Sequence, residues 1–174
     1  MFKKLKYGII GAGHLGNYHA MQINEINTAS LIGIYDIVGS NSLNLSKKYK
    51  TQQYLSLDHL IKDCDAVSIV TPATNHFEVA KIALENNCHL FVEKPFTKTI
   101  SEAQKLIDLK NKENLKIQVG HIERFNPAFI QLMNNKSNPE FIESHRLSLY
   151  NPRGTDVDVI LDLMVHDIDL ILKL

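Results

Sequence analysis

The sequence lacks an excess of charge of either sign. Its 174 residues contain 19 Lys and Arg against 19 Asp and Glu, so the formal net charge is zero. Nucleic-acid-binding domains usually carry a basic stripe, which this balance disfavours. The short basic clusters at 3–6 and 47–50 are interpreted as a solvated terminus and a helix end. We therefore expect no nucleic-acid partner.

Cysteine is scarce, and long apolar runs are missing. Cys64 and Cys88 belong to no C-x-x-C pair, which indicates two reduced, partly buried thiols. Glycines at 8, 11 and 13 interrupt the N-terminal apolar run, and no run approaches the length of a membrane span. We expect a soluble, cytoplasmic protein with no membrane partner, and no metal site is predicted.

Short apolar runs alternate with helical patterns over the first 120 residues. Strands are predicted at 5–10, 29–36, 66–70, 89–93 and 115–120. Helices are predicted at 14–26, 40–49, 57–63, 75–87 and 101–114, with Ser40 or Asn41, Ser56 and Ser101 at their starts. Apolar strands that alternate with helices imply parallel βαβ units, with the sheet covered on both faces. The predicted class is α/β.

The rhythm changes after Gly120. The stretch "NPAFIQLMNN" predicts a helix with Pro127 in its first turn. The alternation in "PEFIESHRLSLY" (139–150) predicts a strand, and the closing apolar run predicts a helix. One strand and one apolar helix are too few for an independent sheet. We expect one domain over residues 1–121 and the incomplete start of a second over 122–174, as in a chain truncated at its C-terminus.

The run "GIIGAGHLG" places Gly11, Gly13 and Gly16 in G-x-G-x-x-G spacing between a strand and a helix. In a dinucleotide site the first glycine permits the tight turn, the second lets the backbone approach the pyrophosphate, and the third allows close helix–strand packing. Asp36 closes the next strand, where its carboxylate would accept the ribose hydroxyls. That carboxylate would repel a 2′-phosphate, and Ile37 rather than Arg follows it. NAD is therefore predicted in preference to NADP.

Two side chains of this loop, His14 and Leu15, are included in the predicted cofactor site. His14 is a conceivable catalytic group, but a surface position near the diphosphate is the preferred interpretation.

Polar residues also follow two other strands. The segment "TPATNH" contributes Thr71, Pro72, Asn75 and His76 to the same sheet edge, beside the expected nicotinamide ribose. For His76, a solvent-facing position at a helix start is an equally good interpretation.

The segment "EKPF" follows the strand at 89–93. Glu93 and Lys94 form either a surface ion pair or part of the cofactor site, and a cis bond before Pro95 is a possibility.

The motifs "GAGHLG", "TPATNH", "EKPF", "GHIERFNPAF" and "DLMVHDIDLIL", in this order, resemble the Gfo/Idh/MocA oxidoreductase family over essentially the whole chain. Within it, the last two motifs are most similar to bacterial nucleotide-sugar members that oxidise a 3-hydroxyl. The resemblance implies an N-terminal Rossmann domain with a doubly wound parallel sheet. It also implies a second α/β domain whose open sheet carries the sugar and a homo-oligomer interface.

The resemblance also implies site residues. Lys94 matches the lysine of the family's E-K-P motif, and Asp162 and His166 match its D-x-x-x-H helix. His166 would be the general base, Asp162 would orient it or contact a neighbouring hydroxyl, and Lys94 would stabilise the reacting oxygen. Arg124 and Asn126 are expected contacts to nicotinamide or substrate. For Arg153, contact with a substrate phosphate and a solvated loop position are equally good interpretations.

Two functional hypotheses follow. The first is an NAD-dependent sugar dehydrogenase that oxidises a secondary hydroxyl. The second is a catalytically inactive, truncated dinucleotide-binding fragment or a regulatory NAD-binding protein. Turnover with nucleotide sugars separates the two.

Overall fold

The computed structural model describes residues 3–112, 114–135, 139–147 and 158–174. The backbone divides into two compact units, Met1–Val119 (unit 1) and Gly120–Leu174 (unit 2). No helix in these described ranges is both long and apolar enough to cross a membrane.

Unit 1 is built on a six-stranded parallel sheet with strand order β3-β2-β1-β4-β5-β6. The strands are β1 (Leu5–Ile10), β2 (Ala29–Tyr35), β3 (Gln52–Tyr54), β4 (Ala66–Ile69), β5 (His89–Val92) and β6 (Ile117–Val119). The order reverses between β1 and β4, which is the topological switch point of a doubly wound sheet. The predicted α/β class with a Rossmann-type parallel sheet is confirmed.

Five helices connect the strands of unit 1. They are α1 (His14–Glu25), α2 (Gly39–Tyr49), α3 (Leu57–Asp63), α4 (His76–Glu85) and α5 (Ile100–Lys112), with a 3₁₀ turn at Ala73–Asn75. Each crossover leads to another parallel strand, as βαβ units require. The crossover through α3 carries the chain from β3, at one edge of the sheet, to β4, on the other side of β1.

The core of unit 1 lies on both faces of the central strands. The side chains of Ile9 and Ile10, which point to opposite faces of β1, are both essentially inaccessible to solvent. Ile9 packs in a cluster with Ala20 and Ile34, whereas Ile10 belongs to a larger cluster with Leu84. Burial on both faces explains why the strands have near-continuous apolar runs rather than alternation.

The described residues of unit 2 form helices and no strands. A 3₁₀ turn (Ile122–Phe125) precedes α6 (Pro127–Asn134), which begins at Pro127 as predicted. The closing run forms a π-helical segment (Ile160–Met164) that continues directly into α7 (Val165–Ile171).

Several predicted details are wrong. Residues 141–147 are not a strand, and residues 148–150 of the predicted strand lie outside the described part of the chain. A strand exists only with a hydrogen-bonded neighbour, and the described part of unit 2 supplies none. Strand β3, by contrast, was missed because Gln52 and Gln53 carry no apolar signal.

Helix starts also differ from the predicted caps. Ser56 does cap α3, since its Oγ accepts the His59 N–H at 3.4 Å. Ser40, Asn41 and Ser101 instead lie inside α2 and α5.

Candidate cofactor-binding and active site

Four strands of unit 1 end level with one another. Ile10 of β1 is in register with Tyr35 of β2 and Ile69 of β4, and Ile69 is in register with Val92 of β5. The residues that follow these strands therefore share one edge of the sheet, at its carboxyl ends. They are Gly11, Asp36, Val70 with Thr71, and Glu93 with Lys94.

The glycine loop is shaped by close contacts. Gly11 has φ of +102°, which favours glycine, and a Cβ there would lie 2.7 Å from the Val70 carbonyl oxygen. A Cβ on Gly16 would lie 2.0 Å from the Gly11 carbonyl oxygen. A Cβ on Gly13, however, would meet nothing within 4 Å. The tight turn therefore requires Gly11, and the close contact between α1 and the loop requires Gly16. Gly13 borders open space.

The N-terminus of α1 is suited to an anion. No side chain caps it, and its first turn has no acidic residue. Backbone N–H groups and the helix dipole at such an end favour phosphate. His14 is exposed and packs edge-on against Tyr18 with ring centroids 4.8 Å apart, and Leu15 is also exposed.

Asp36 stabilises the glycine loop through hydrogen bonds to the backbone. Its Oδ2 accepts the Ala12 N–H at 2.6 Å and its Oδ1 accepts the Val38 N–H at 2.8 Å. Each carboxylate oxygen retains a second lone-pair site, so the group can still accept ribose hydroxyls. The open space at Gly13, the uncapped helix and this carboxylate together fit an NAD molecule.

His76 is buried, so the solvent-facing interpretation is wrong. Its Nδ1 lies 2.7 Å from the Pro95 carbonyl oxygen and its Nε2 lies 3.0 Å from the Thr71 carbonyl oxygen. The imidazole therefore joins the turn after β4 to the segment after β5. Pro72 and Asn75 are exposed on that turn.

The bond between Lys94 and Pro95 is cis. Glu93 is not a surface ion-pair residue, because its side chain is only 12% exposed and its Oε1 lies 2.9 Å from His19 Nε2. Burial alone would raise the pKa of Glu93, but His19 and the Lys94 N–H and charge lower it below the ordinary range. The carboxylate is therefore ionised. No role was predicted for His19 from the sequence. Its helical spacing from Gly16, Ala20 and Ile23 does indicate that its side chain faces the sheet.

In unit 2, the predicted substrate residues have partners within their own unit. The Arg124 guanidinium donates to both carboxylate oxygens of Asp169, and the pKa of Asp169 is lowered by that hydrogen bond. Asn126 caps α6, since its Oδ1 accepts the Ala128 N–H at 3.0 Å. Arg153 lies outside the described residues.

Asp162 and His166 are both partly buried and flank the junction between the π-helical segment and α7. Single π turns within helices are frequent at functional sites. Helical spacing keeps the two side chains on one side of the segment.

The sheet, glycine loop, helix N-terminus and Asp36 define a Rossmann-type dinucleotide-binding protein. The chain belongs to the oxidoreductase family with an NAD-binding Rossmann fold, GFO_IDH_MocA, whose model matches residues 5–121. The family description names NAD, which confirms the predicted cofactor.

Known relatives extend the likeness beyond unit 1. The chain is 39% identical over 172 residues to UDP-N-acetylglucosamine 3-dehydrogenase of Acidithiobacillus ferrooxidans, covering 98% of this chain and 54% of that protein. A solved structure of an enzyme of that name from the same organism matches with a TM-score of 0.92 and 38% identity, covering 99% of this chain and 57% of the other. Inositol 2-dehydrogenase of Salmonella typhimurium is 27% identical, over 95% of this chain and 53% of that protein. The chain thus spans about half the length of the curated relatives it matches.

Proposed function

We propose that this chain belongs to an NAD-dependent dehydrogenase that oxidises the 3-hydroxyl of a nucleotide sugar of the UDP-N-acetylglucosamine type. The observation that carries the proposal is the 39% identity to UDP-N-acetylglucosamine 3-dehydrogenase over 98% of the chain, including the residues beyond the dinucleotide-binding unit. Inositol 2-dehydrogenase, which is 27% identical to this chain, is also named for oxidation at one numbered position of its substrate.

Bound NAD would supply the hydride acceptor for oxidation of the carbinol carbon. The protein supplies position and charge. The uncapped start of α1 binds the diphosphate, and Asp36 accepts hydrogen bonds from the adenosine ribose. Thr71 and the turn after it would border the nicotinamide ribose.

Lys94 is proposed to donate a hydrogen bond to the reacting oxygen as negative charge develops there. Its backbone follows β5 at the carboxyl edge of the sheet, where ligands bind in open α/β folds.

His166 is proposed to accept the hydroxyl proton, and Asp162 to orient the imidazole or to bind a neighbouring hydroxyl. These two roles rest on the motif that Asp162 and His166 share with the family, together with their helical spacing. Arg124, whose guanidinium also binds Asp169, is proposed to contact nicotinamide or substrate. Arg153, which lies outside the described residues, is proposed to contact a substrate phosphate.

The proposal is tested with the full encoded protein, NAD and UDP-N-acetylglucosamine. We expect NADH to form, seen by its absorbance, together with a sugar product that has lost two hydrogens by mass spectrometry. A 3-deoxy analogue of the sugar should give no NADH. NAD binding without turnover on any nucleotide sugar would contradict the proposal.

Lys94→Ala tests the assigned role, with Lys98→Ala as the matched control on the same segment. Loss of one hydrogen-bond donor to a developing oxyanion typically lowers kcat by about 100-fold or more. We expect that loss for Lys94→Ala with little change in the Kd for NAD, and an unchanged kcat for Lys98→Ala, whose residue is exposed.

A further inference from the structure

His19 lies on the inward side of α1, one turn beyond the glycine loop. Gly16, Ala20 and Ile23 share that side of the helix at helical spacing, and His19 itself is 16% exposed. Its ring packs edge-on against Phe91 of β5, with centroids 5.1 Å apart. The imidazole is therefore held against the sheet and does not point into solvent.

The two ring nitrogens of His19 have different partners. Nε2 lies 2.9 Å from Oε1 of Glu93, and Nδ1 lies 3.0 Å from Oγ of Ser68. The Ser68 hydroxyl also lies 3.0 Å from the hydroxyl of Tyr7. Because an ionised carboxylate only accepts, Nε2 carries the hydrogen and donates to Glu93. In the neutral ring, Nδ1 then accepts from Ser68, and Ser68 accepts from Tyr7.

This chain of hydrogen bonds connects three elements of unit 1 with the segment after β5. It runs from β1 through β4 and α1 to the residue that follows β5. Ser68 is 1% exposed and Tyr7 is 9% exposed, so the network is largely sheltered from water. Satisfied networks of this kind hold their members in one arrangement.

Glu93 transmits that arrangement to the next residue. Its second oxygen, Oε2, accepts the backbone N–H of Lys94 at 3.3 Å. The charged and titratable groups around the Glu93 carboxylate are His19 from α1 and Lys94 from its own segment, with Tyr7 of β1 beyond Ser68. An oriented carboxylate at this point therefore fixes the backbone from which the Lys94 side chain extends.

We propose that His19 is a positioning residue for Lys94, acting through Glu93, and that it couples the glycine-loop helix to the catalytic segment after β5. This inference rests on the role proposed for Lys94. Displacements of about 1 Å in a positioned group can lower a rate about 100-fold, so a contact of this kind matters even though His19 touches no substrate.

The first test does not depend on turnover. The carboxyl carbon of Glu93 is followed by NMR as a function of pH in the 174-residue chain, with Glu93→Gln identifying its resonance. In the wild type we expect a midpoint below the ordinary value of about 4.3. In His19→Leu, where burial remains and the donor is lost, the midpoint should rise by about one pH unit or more. His19→Gln keeps an N–H donor and should fall between the two.

The second test measures kcat and KM in the full encoded protein. His19→Leu should lower kcat by about tenfold or more while the KM for NAD changes by less than about threefold. The acid limb of the kcat–pH profile should move to higher pH, and His19→Gln should restore part of both. His59→Leu, the same substitution at an exposed histidine of α3, should change neither.

The outcomes separate the two proposals. If Lys94→Ala is inactive while His19→Leu keeps its kcat, pH profile and Glu93 midpoint, the role of His19 is overturned and the proposed function stands. If Lys94→Ala keeps full turnover, the proposed role of Lys94 fails, and the NMR midpoint still decides whether His19 holds Glu93. Should His19→Leu fail to fold, unchanged kcat and pH profiles in both His19→Gln and Glu93→Gln would overturn the inference.

Discussion

At the scale of single residues, the glycines of the loop between β1 and α1 occupy different surroundings. Gly13→Ala adds a methyl group to open space at an extended backbone position, whereas Gly16→Ala drives one into the Gly11 carbonyl. We expect Gly13→Ala to leave the melting temperature without NAD nearly unchanged but to weaken NAD binding about tenfold or more. Gly16→Ala should destabilise the unliganded protein by about 1–3 kcal/mol. Melting curves and NAD titrations measure both effects, and equal loss of stability in the two variants would contradict the assignment.

Asp36 combines a structural and a binding role. Asp36→Asn keeps the shape but leaves only one accepting oxygen for the N–H groups of Ala12 and Val38. A hydrogen bond to a charged group contributes about 1.5–3 kcal/mol, so NAD affinity should fall about tenfold or more. The ratio of NAD to NADP affinity should narrow as well, because the negative charge that repels a 2′-phosphate is gone. Titration of both cofactors checks this result, and an unchanged ratio would assign cofactor preference to other residues.

At the same scale, the sequence predicts some of the site residues and not others. The loop glycines and Asp36 were predictable from the sequence, because their places after β1 and β2 depend only on residues nearby in the chain. His19 could not be assigned in the same way. Its partners Ser68 and Glu93 are distant in sequence and meet it only because β4 and β5 pair beside β1.

At the scale of elements, α5 begins with a reciprocal cap. Thr99 Oγ1 accepts the Glu102 N–H at 3.2 Å, and Glu102 Oε2 accepts the Thr99 N–H at 3.2 Å. Thr99→Ala should lower the free energy of unfolding by about 0.5–2 kcal/mol. Ser101→Ala, at the position expected from sequence to open this helix, should change it by less than about 0.5 kcal/mol. Denaturant titrations compare the two variants, and the reverse ranking would place the cap at Ser101.

A strand or helix was predictable where the pattern of its apolar residues and the length of the run indicated the same kind of element. Both hold for β1, β2, β4 and β5, whose sequences are short and mostly apolar. The three-residue edge strand β3 has two glutamines, so only its pairing with Gly33–Tyr35 defines it. The failure at 141–147 has the opposite cause, since alternation alone does not form a ladder without a neighbouring strand.

At the scale of the whole molecule, the two buried thiols make the free energy of unfolding of unit 1 fall at alkaline pH. Burial raises the pKa of the Cys88 thiol to about 12, and burial also raises the pKa of Cys64. Unfolded thiols ionise near about 8.5, so above that pH the folded state holds more protons than the unfolded state. Stability is therefore fully present below pH about 8.5 and falls as pH rises, by about 1.4 kcal/mol per pH unit for each thiol.

Cys88→Ala tests this dependence. It should lower the free energy of unfolding at neutral pH, because the packed sulfur is lost, and should also make the decline between pH 9 and 11 about 1.4 kcal/mol per unit less steep. Denaturant titrations across that range give the slope. An identical slope in the variant would mean that the Cys88 thiol ionises equally in both states.

The position of β1 in the strand order has a consequence for synthesis of the chain. β1 leaves the ribosome before β2 to β6, yet one of its two neighbours, β4, ends at Ile69. Until that residue emerges, one edge of the central strand has no partner, and the crevice between β1 and β4 does not exist. NAD therefore cannot assist the earliest steps of folding. It can stabilise the nascent protein only after β4 has been added beside β1.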